Sequence, residues 1–309
     1  MEYKVPLQGI PIVEPMQPNR VSDVITVIIP TIGRPILQKC LLAIAGGTVL
    51  PHCVIVVDQG EGGSRSVTDW LADLGNRGLS TLHLPSTAKN PGVARNLALS
   101  RVQTPFVAAV DDDCIPDEHW LEAMLNQLGQ HPDFIITGRV DPAGGGNAPT
   151  IVSSSAPRLY SKPSFRFPSP LTTGNMGVAL RTAQRIGTFD ELLFTAEDND
   201  WAYRALRAGI PILYAPDAIV SHFHWRAESE LASTYLDYAW GQGTFYGKHL
   251  RRGDLLMLPM AGISLFRGAR DLLFGILSHD NSRRLSGSAR MKRLIPGILH
   301  GLLRSDTHP

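Results

Sequence analysis

Apolar runs and helical periodicities alternate along residues 24–140. Residues 24–29 (VITVII), 53–57 (CVIVV), 79–84 (LSTLHL) and 106–110 (FVAAV) are short and mostly apolar. Runs of that kind are expected of strands buried on both faces. Helical spacing fills the intervals. One helix runs from Pro35, which suits a first helical turn, to about residue 45. Another lies near 66–74, and a third covers 93–100 after the turn Asn90-Pro91-Gly92. A helix at 118–128 and a strand at 134–140 complete this half. Strand–helix alternation with apolar strands predicts a parallel sheet with right-handed crossovers.

Beyond residue 140 the pattern loosens. Residues 141–170 are rich in Pro, Gly and Ser, and a loop that long is functional or mobile. A short strand follows at 178–181. A helix opens at 196–200 and stops at Gly209, and a strand at 219–225 leads into a helix from about 228. Residues 255–277 are apolar but broken by Pro259, Gly262, Arg267, Arg270 and Asp271. Arg283, Arg284, Arg290, Lys292 and Arg293 follow among Leu, Ile and Met. That mixture fits helices packed on the domain or helices lying in a membrane interface. Residues 1–23 are Pro-rich and aperiodic. The expected organisation is an extended arm (1–23), an α/β domain (24–250) and a basic, apolar helical appendage (251–309).

The 309 residues are 43% hydrophobic and 18% charged, with net charge +1. This is a globular composition with no global pull toward nucleic acid. Cys40, Cys53 and Cys114 have no metal-type spacing, as expected of reduced thiols in a cytoplasmic setting. Neither a signal-peptide pattern nor an uninterrupted apolar run of about 18 residues is evident.

The chemistry gathers at strand ends. Residues 106–117 (FVAAVDDDCIPD) carry a buried strand into Asp111, Asp112 and Asp113. Three packed carboxylates repel one another and hold a proton unless a cation neutralises them. Hard cations such as Mg²⁺ and Mn²⁺ take oxygen ligands and bridge to phosphates. Thr31, Asp58 and Arg95 also fall at or after strand ends, which converge on one crevice in a parallel sheet. A carboxylate there accepts from a base or ribose, and an Arg pairs with phosphate. These are the parts of a nucleotide-diphosphate site.

The sequence resembles the family 2 glycosyltransferases, which adopt the GT-A fold. The resemblance rests on VITVIIPTIGRP (24–35), VIVVDQG (54–60), NPGVARNLAL (90–99) and VAAVDDDCIPDEHWL (107–121). It continues through TTGNMGVALR (172–181), FDELLFTAEDNDWAYRALRAG (189–209) and IVSHFHW (219–225), in the family's order. The resemblance implies that Pro30 and Thr31 contact the nucleotide, Asp58 the base, and Arg95 the base or phosphates. Asp111 and Asp113 become the outer members of a DxD motif holding the metal, beside Asp112. Asp111 serves ribose or metal. Gly174 and Asn175 line the sugar pocket. Glu197 and Asp198 match the family's acidic pair, with Asp198 the expected base, and His222 falls where some members place a further metal ligand. Many members carry a second acid where this chain has Gln59, which bears on base or ribose recognition.

The implied function is metal-dependent inverting transfer from a nucleotide-diphosphate sugar to a hydroxyl of a carbohydrate or lipid-linked acceptor. Cell-surface polysaccharide or glycolipid synthesis is the expected setting, in the cytoplasm or peripherally on the inner face of the membrane. A nucleotidyltransferase is a rival, but it wants a Gly-rich phosphate loop after the first strand, where TIGRP has one Gly. A non-catalytic sugar-nucleotide-binding protein is the other rival, and the intact acidic pair argues against it.

Overall fold

The computed structural model describes residues 20–60, 65–143, 153–164, 171–223 and 230–304. In chain order the first elements are β1 (Arg20–Val21), β2 (Ile25–Thr31), α1 (Ile36–Ala45), β3 (Val49–Leu50), β4 (Cys53–Asp58) and α2 (Arg65–Asn76). Then come β5 (Thr81–Pro85), α3 (Pro91–Leu99), β6 (Phe106–Val110), β7 (Cys114–Pro116), α4 (Trp120–Gln130) and β8 (Ile135–Ala143). The second half holds β9 (Arg158–Tyr160), β10 (Asn175–Ala179), α5 (Leu180–Ile186), α6 (Glu197–Arg207) and β11 (Ile212–Phe223). Three long helices close the chain: α7 (Leu231–Arg251), α8 (Met257–Leu277) and α9 (Asn281–Leu303).

The main sheet runs β5-β4-β2-β6-β10-β8-β11-β7, with β9 added on β11. β5, β4, β2 and β6 are parallel, as the alternation predicts. The second half is mixed. β10 is antiparallel to both β6 and β8, and β11 is parallel to β8 but antiparallel to β7. The arm is tied down at its end, because β1 pairs in parallel with β3.

Alternate residues of β2 explain the layering. Ile25, Val27 and Ile29 pack with Leu37, Cys40 and Leu41 of α1 on one face, while Ile28 joins Ala94 and Ala98 of α3 on the other. Each such aliphatic side chain contributes about 1.5–3 kcal/mol on full burial. Pro30 can sit in this strand because pairing with β6 has ended by Ile28, so its missing N–H breaks no bond on that side. Asn90 caps α3, its Oδ1 accepting from the Gly92 and Val93 N–H groups at 2.8 and 3.2 Å, with Pro91 in the first turn.

The C-terminal helices are packed on the domain. Tyr203 of α6 shares a core with Phe245, Tyr246, Met257, Met260 and Leu294. α7 and α9 meet backbone to backbone. A Cβ on Gly243 would press into the Leu294 carbonyl, and one on Gly301 into the Thr244 carbonyl. The expected boundary at 250/251 therefore falls inside α7, one residue before its end. Residues 224–225 of the expected strand at 219–225, and the helix start near 228, lie outside the described residues, as do 144–152 and 165–170 of the long loop.

Candidate active site

Thr31 and Asp58 are register partners at the ends of β2 and β4, and Asp111 follows the end of β6 beside them. The three acids then part company. Asp112 is wholly buried. It accepts from the Thr31 hydroxyl at 2.6 Å, from Arg34 Nε at 3.1 Å, and from Arg34 Nη2 at its other oxygen. Arg34 Nη1 lies 3.3 Å from Asp113 Oδ2. The cation that packed acids demand is thus partly supplied by the chain itself. Burial still pushes the Asp112 carboxyl up to about 6, against the opposing charge of Arg34. Asp112, expected among the donor contacts, anchors the turn after β2. The Thr31 hydroxyl is likewise engaged, accepting from the Gly33 N–H at 2.9 Å.

Asp58 is buried to 1% exposure, and its Oδ1 accepts from the Gly60 N–H at 2.9 Å, with His83 Nε2 3.4 Å from Oδ2. In this structure it shapes the turn at the end of β4 instead of presenting a free carboxylate to a base. Gln59 staples that turn to the next loop, donating to the Ala88 and Asn90 carbonyls.

Arg95 joins the two halves. Its Nη2 donates to Asp111 Oδ1 at 2.9 Å, and its Nη1 to Glu197 Oε1 at 2.8 Å. Burial works against the charge, but Asp111, Glu197 and Asp198 together hold the Arg95 pKa above its ordinary value. Glu197 is buried, whereas Asp198 is half-buried, its Oδ1 accepting from the Asn199 N–H at 2.7 Å. Burial raises both carboxyls. The Asp198 charge raises Glu197 further, while Arg95 opposes both shifts. Ala196, just before them, has φ 68°, a left-handed conformation that costs a non-glycine residue on the order of 1 kcal/mol. The segment that delivers this pair is gripped from both sides. Asn96 of α3 exchanges hydrogen bonds with the Phe189 backbone, and Asn90 donates to the Glu191 carbonyl. From the other side Lys248 lies 2.8 Å from Asp190, and Arg304 donates to the Leu192 carbonyl.

Gly174 lies against Asp111: a Cβ there would stand 2.8 Å from Asp111 Oδ2, so only glycine fits without displacement. Asn175 is different. It is 0% exposed, accepts from Trp120 Nε1 at 2.8 Å, and donates to the Arg139 and Ala218 carbonyls at 2.8 Å each. Its side chain, expected to line a sugar pocket, bolts β10 to β8 and β11. Asn175→Ala is therefore expected to lower folding stability by on the order of 3 kcal/mol, since two buried partners and one part-buried partner lose their bonds. Donor affinity of the folded fraction should stay near parental. Urea melts beside calorimetry check this; a stable variant with lost donor binding would restore the pocket role.

The antiparallel register of β11 and β7 sets His222 opposite Cys114, beside Asp113. Ligand atoms of Asp113, Cys114 and His222 lie within 4.8 Å of one another, with His222 Nε2 3.6 Å from Asp113 Oδ1. His222 Nδ1 is buried without a hydrogen-bond partner. Burial keeps the Cys114 thiol protonated, so the carboxylate and imidazole are the donors suited to a hard or borderline divalent ion. These residues fit such an ion. Asp111, expected in the same role, is not in this group; it pairs with Arg95.

A mixed α/β sheet with an acid triplet after β6, an arginine on α3 bridging Asp111 to Glu197, and an acidic pair opening α6 has the GT-A architecture. Residues 26–183 match the model of glycosyl transferase family 2, and the chain belongs to that family of glycosyltransferases. The pre-mycofactocin glycosyltransferase of Mycobacterium tuberculosis is 28% identical over 178 residues, 55% of this chain and 37% of that one. The chain thus spans little more than a third of that relative's length. The O-antigen chain rhamnosyltransferase RfbN of Salmonella typhimurium is 27% identical over 226 residues, 69% of this chain and 70% of that one. The fold is shared with a mannosyltransferase from Pyrobaculum calidifontis solved with GDP-Man and Mn²⁺, at TM-score 0.60 and 16% identity, over 90% of this chain and 87% of that one.

Proposed function

We propose that this glycosyltransferase inverts the anomeric centre of a nucleotide-diphosphate sugar, using a divalent cation, and transfers the sugar to a hydroxyl of a carbohydrate or lipid-linked acceptor. The observation that carries the reading is the Arg95 bridge, which ties the acid after β6 to the acidic pair at the start of α6. Donor and base must meet within one transferred sugar's reach, and this bridge joins their two sides.

The nucleotide lies over the ends of β2 and β4, framed by Pro30, by Thr31 and by the turn that Asp58 holds. Asp111, against Gly174, takes a donor hydroxyl or phosphate-side contact and is oriented by Arg95. Asp113 and His222 hold the cation, which when bound supplies charge stabilisation for the departing diphosphate. Asp198 takes the proton from the acceptor hydroxyl as that oxygen attacks the anomeric carbon. Its raised pKa makes it a stronger base than an ordinary carboxylate. Glu197 holds Arg95. Inversion needs one base and no enzyme nucleophile. An O-antigen chain transferase among the relatives supports a carbohydrate-chain acceptor and a role in surface polysaccharide synthesis.

The test is a donor screen reading nucleoside-diphosphate release and product structure, with Mn²⁺, with Mg²⁺ and in chelator. Full transfer in excess chelator would end the metal assignment, and retained anomeric configuration would end inversion. Asp113→Ala is expected to abolish metal-dependent donor binding by calorimetry. His222→Ala should weaken Mn²⁺ use more than Mg²⁺ use, because nitrogen suits Mn²⁺ better. An unchanged metal preference would remove His222 from the site.

A further inference from the structure

The C-terminal helices concentrate two properties. Residues 251–304 hold ten Arg and Lys against three Asp and no Glu, a net of +7 in a chain of net +1. They also hold most of the large apolar side chains that the described residues leave exposed. Leu255, just before α8, and Leu258, Phe266, Leu273, Phe274, Ile276 and Leu277 on it are all between 50% and 70% exposed. At about 100° per residue the α8 positions fall within one sector roughly 160° wide. The opposite face, with Met257, Met260, Gly268 and Gly275, is buried. On α9, Met291, Ile295, Leu299 and Leu303 recur every four residues and are exposed, with Leu303 at 86%. Exposed Arg283, Arg284 and Lys292 accompany that stripe.

No helix among the described residues is long and apolar enough to cross a membrane. An amphipathic helix with an apolar stripe and cationic flanks lies in the plane of a bilayer interface, and anionic headgroups attract the flanks. A soluble protein partner would equally cover apolar side chains, but a net of +7 on one helical unit selects an anionic surface. We infer that the exposed faces of α8 and α9 dock this enzyme on an anionic lipid bilayer, with their apolar stripes at the headgroup–acyl boundary. The inference stands apart from the identity of donor and acceptor, because none of these side chains is in the crevice described above.

The full chain is tested by sedimentation with sucrose-loaded vesicles of phosphatidylcholine, with and without one quarter phosphatidylglycerol. Binding is expected to the anionic vesicles at low salt, to fall as salt rises, and to be far weaker on phosphatidylcholine alone. Phe266→Asp with Leu273→Asp should abolish it. Arg283→Gln, Arg284→Gln and Lys292→Gln should each weaken it about five-fold. All these positions are exposed, so unfolding is not expected, and circular dichroism checks it. Absent binding, or undiminished binding by the double aspartate variant, overturns the inference. So does a dimer that the double aspartate variant dissociates while vesicles bind neither protein, because a second copy would then cover the face.

Discussion

Asp198→Asn is expected to bind sugar nucleotide and metal nearly as well as the parent, while transfer falls by about 10²–10⁴. The substitution keeps the shape and the Asn199 contact but removes basicity. Glu197→Gln should behave otherwise. Glu197 receives Arg95 Nη1 at 2.8 Å and is buried, so its loss loosens Arg95 and, through it, Asp111. Its main effect should be weaker donor binding with a smaller loss in the chemical step. Calorimetry beside single-turnover transfer separates the two patterns. If Asp198→Asn transfers near the parental rate, or fails only because donor no longer binds, Asp198 is not the base.

The second large effect belongs to Asp200. Its side chain is inaccessible and receives Lys248 Nζ at 2.7 Å, His249 Nε2 at 2.8 Å and Arg204 Nε at 2.8 Å. Burial alone would raise its pKa. The His249 hydrogen bond and the charges of Lys248 and Arg204 overcome that and hold it well below the usual carboxylate range. Removing one partner of such a buried cluster leaves the others uncompensated, so Asp200→Ala should cost about 3–5 kcal/mol of stability. The pH dependence has a definite sign. Unfolded Asp titrates near 4, and the folded group titrates lower, so its contribution is complete above about pH 4 and is lost as pH falls below it. The stability gap between parent and Asp200→Asn should be constant above about pH 5 and shrink progressively as pH falls below about 4 in urea melts. A gap independent of pH would mean that the charge of Asp200 contributes nothing.

The parallel half of the sheet was legible because each buried strand and each helix has its own local period. The mixed half was not, because β10 is placed by pairing with β6 and β8 from 39 to 73 residues away. Residues 172–177 (TTGNMG) read locally as a turn, so Asn175 looked like a pocket residue; only its bonds to three separate elements reveal a polar bolt. Arg34 was passed over for a related reason. Its partners Asp112 and Asp113 stand 78 and 79 positions away, and nothing in the turn TIGRP advertises them. Asp58 and Thr31 were located correctly, but a strand end fixes where a residue is and not where its oxygen points. The strand ends point to Arg95 and Asp111 sharing one crevice, but the meeting of Arg95 with Glu197 depends on contacts 102 positions apart that no local pattern shows.

The grip on residues 189–196 bears on how such enzymes diversify. A chain ended at residue 250 would keep the residues assigned here to the donor, yet lose Arg304 and the α9 support behind α7. Lys248, which spans Asp190 and Asp200, would stand on a helix with no neighbour along its glycine face. The C-terminal helices are therefore not an exchangeable cassette. Any recombination among relatives that replaces them has to bring its own matching 189–200 segment, so the acidic pair and the helices that hold its segment are inherited together.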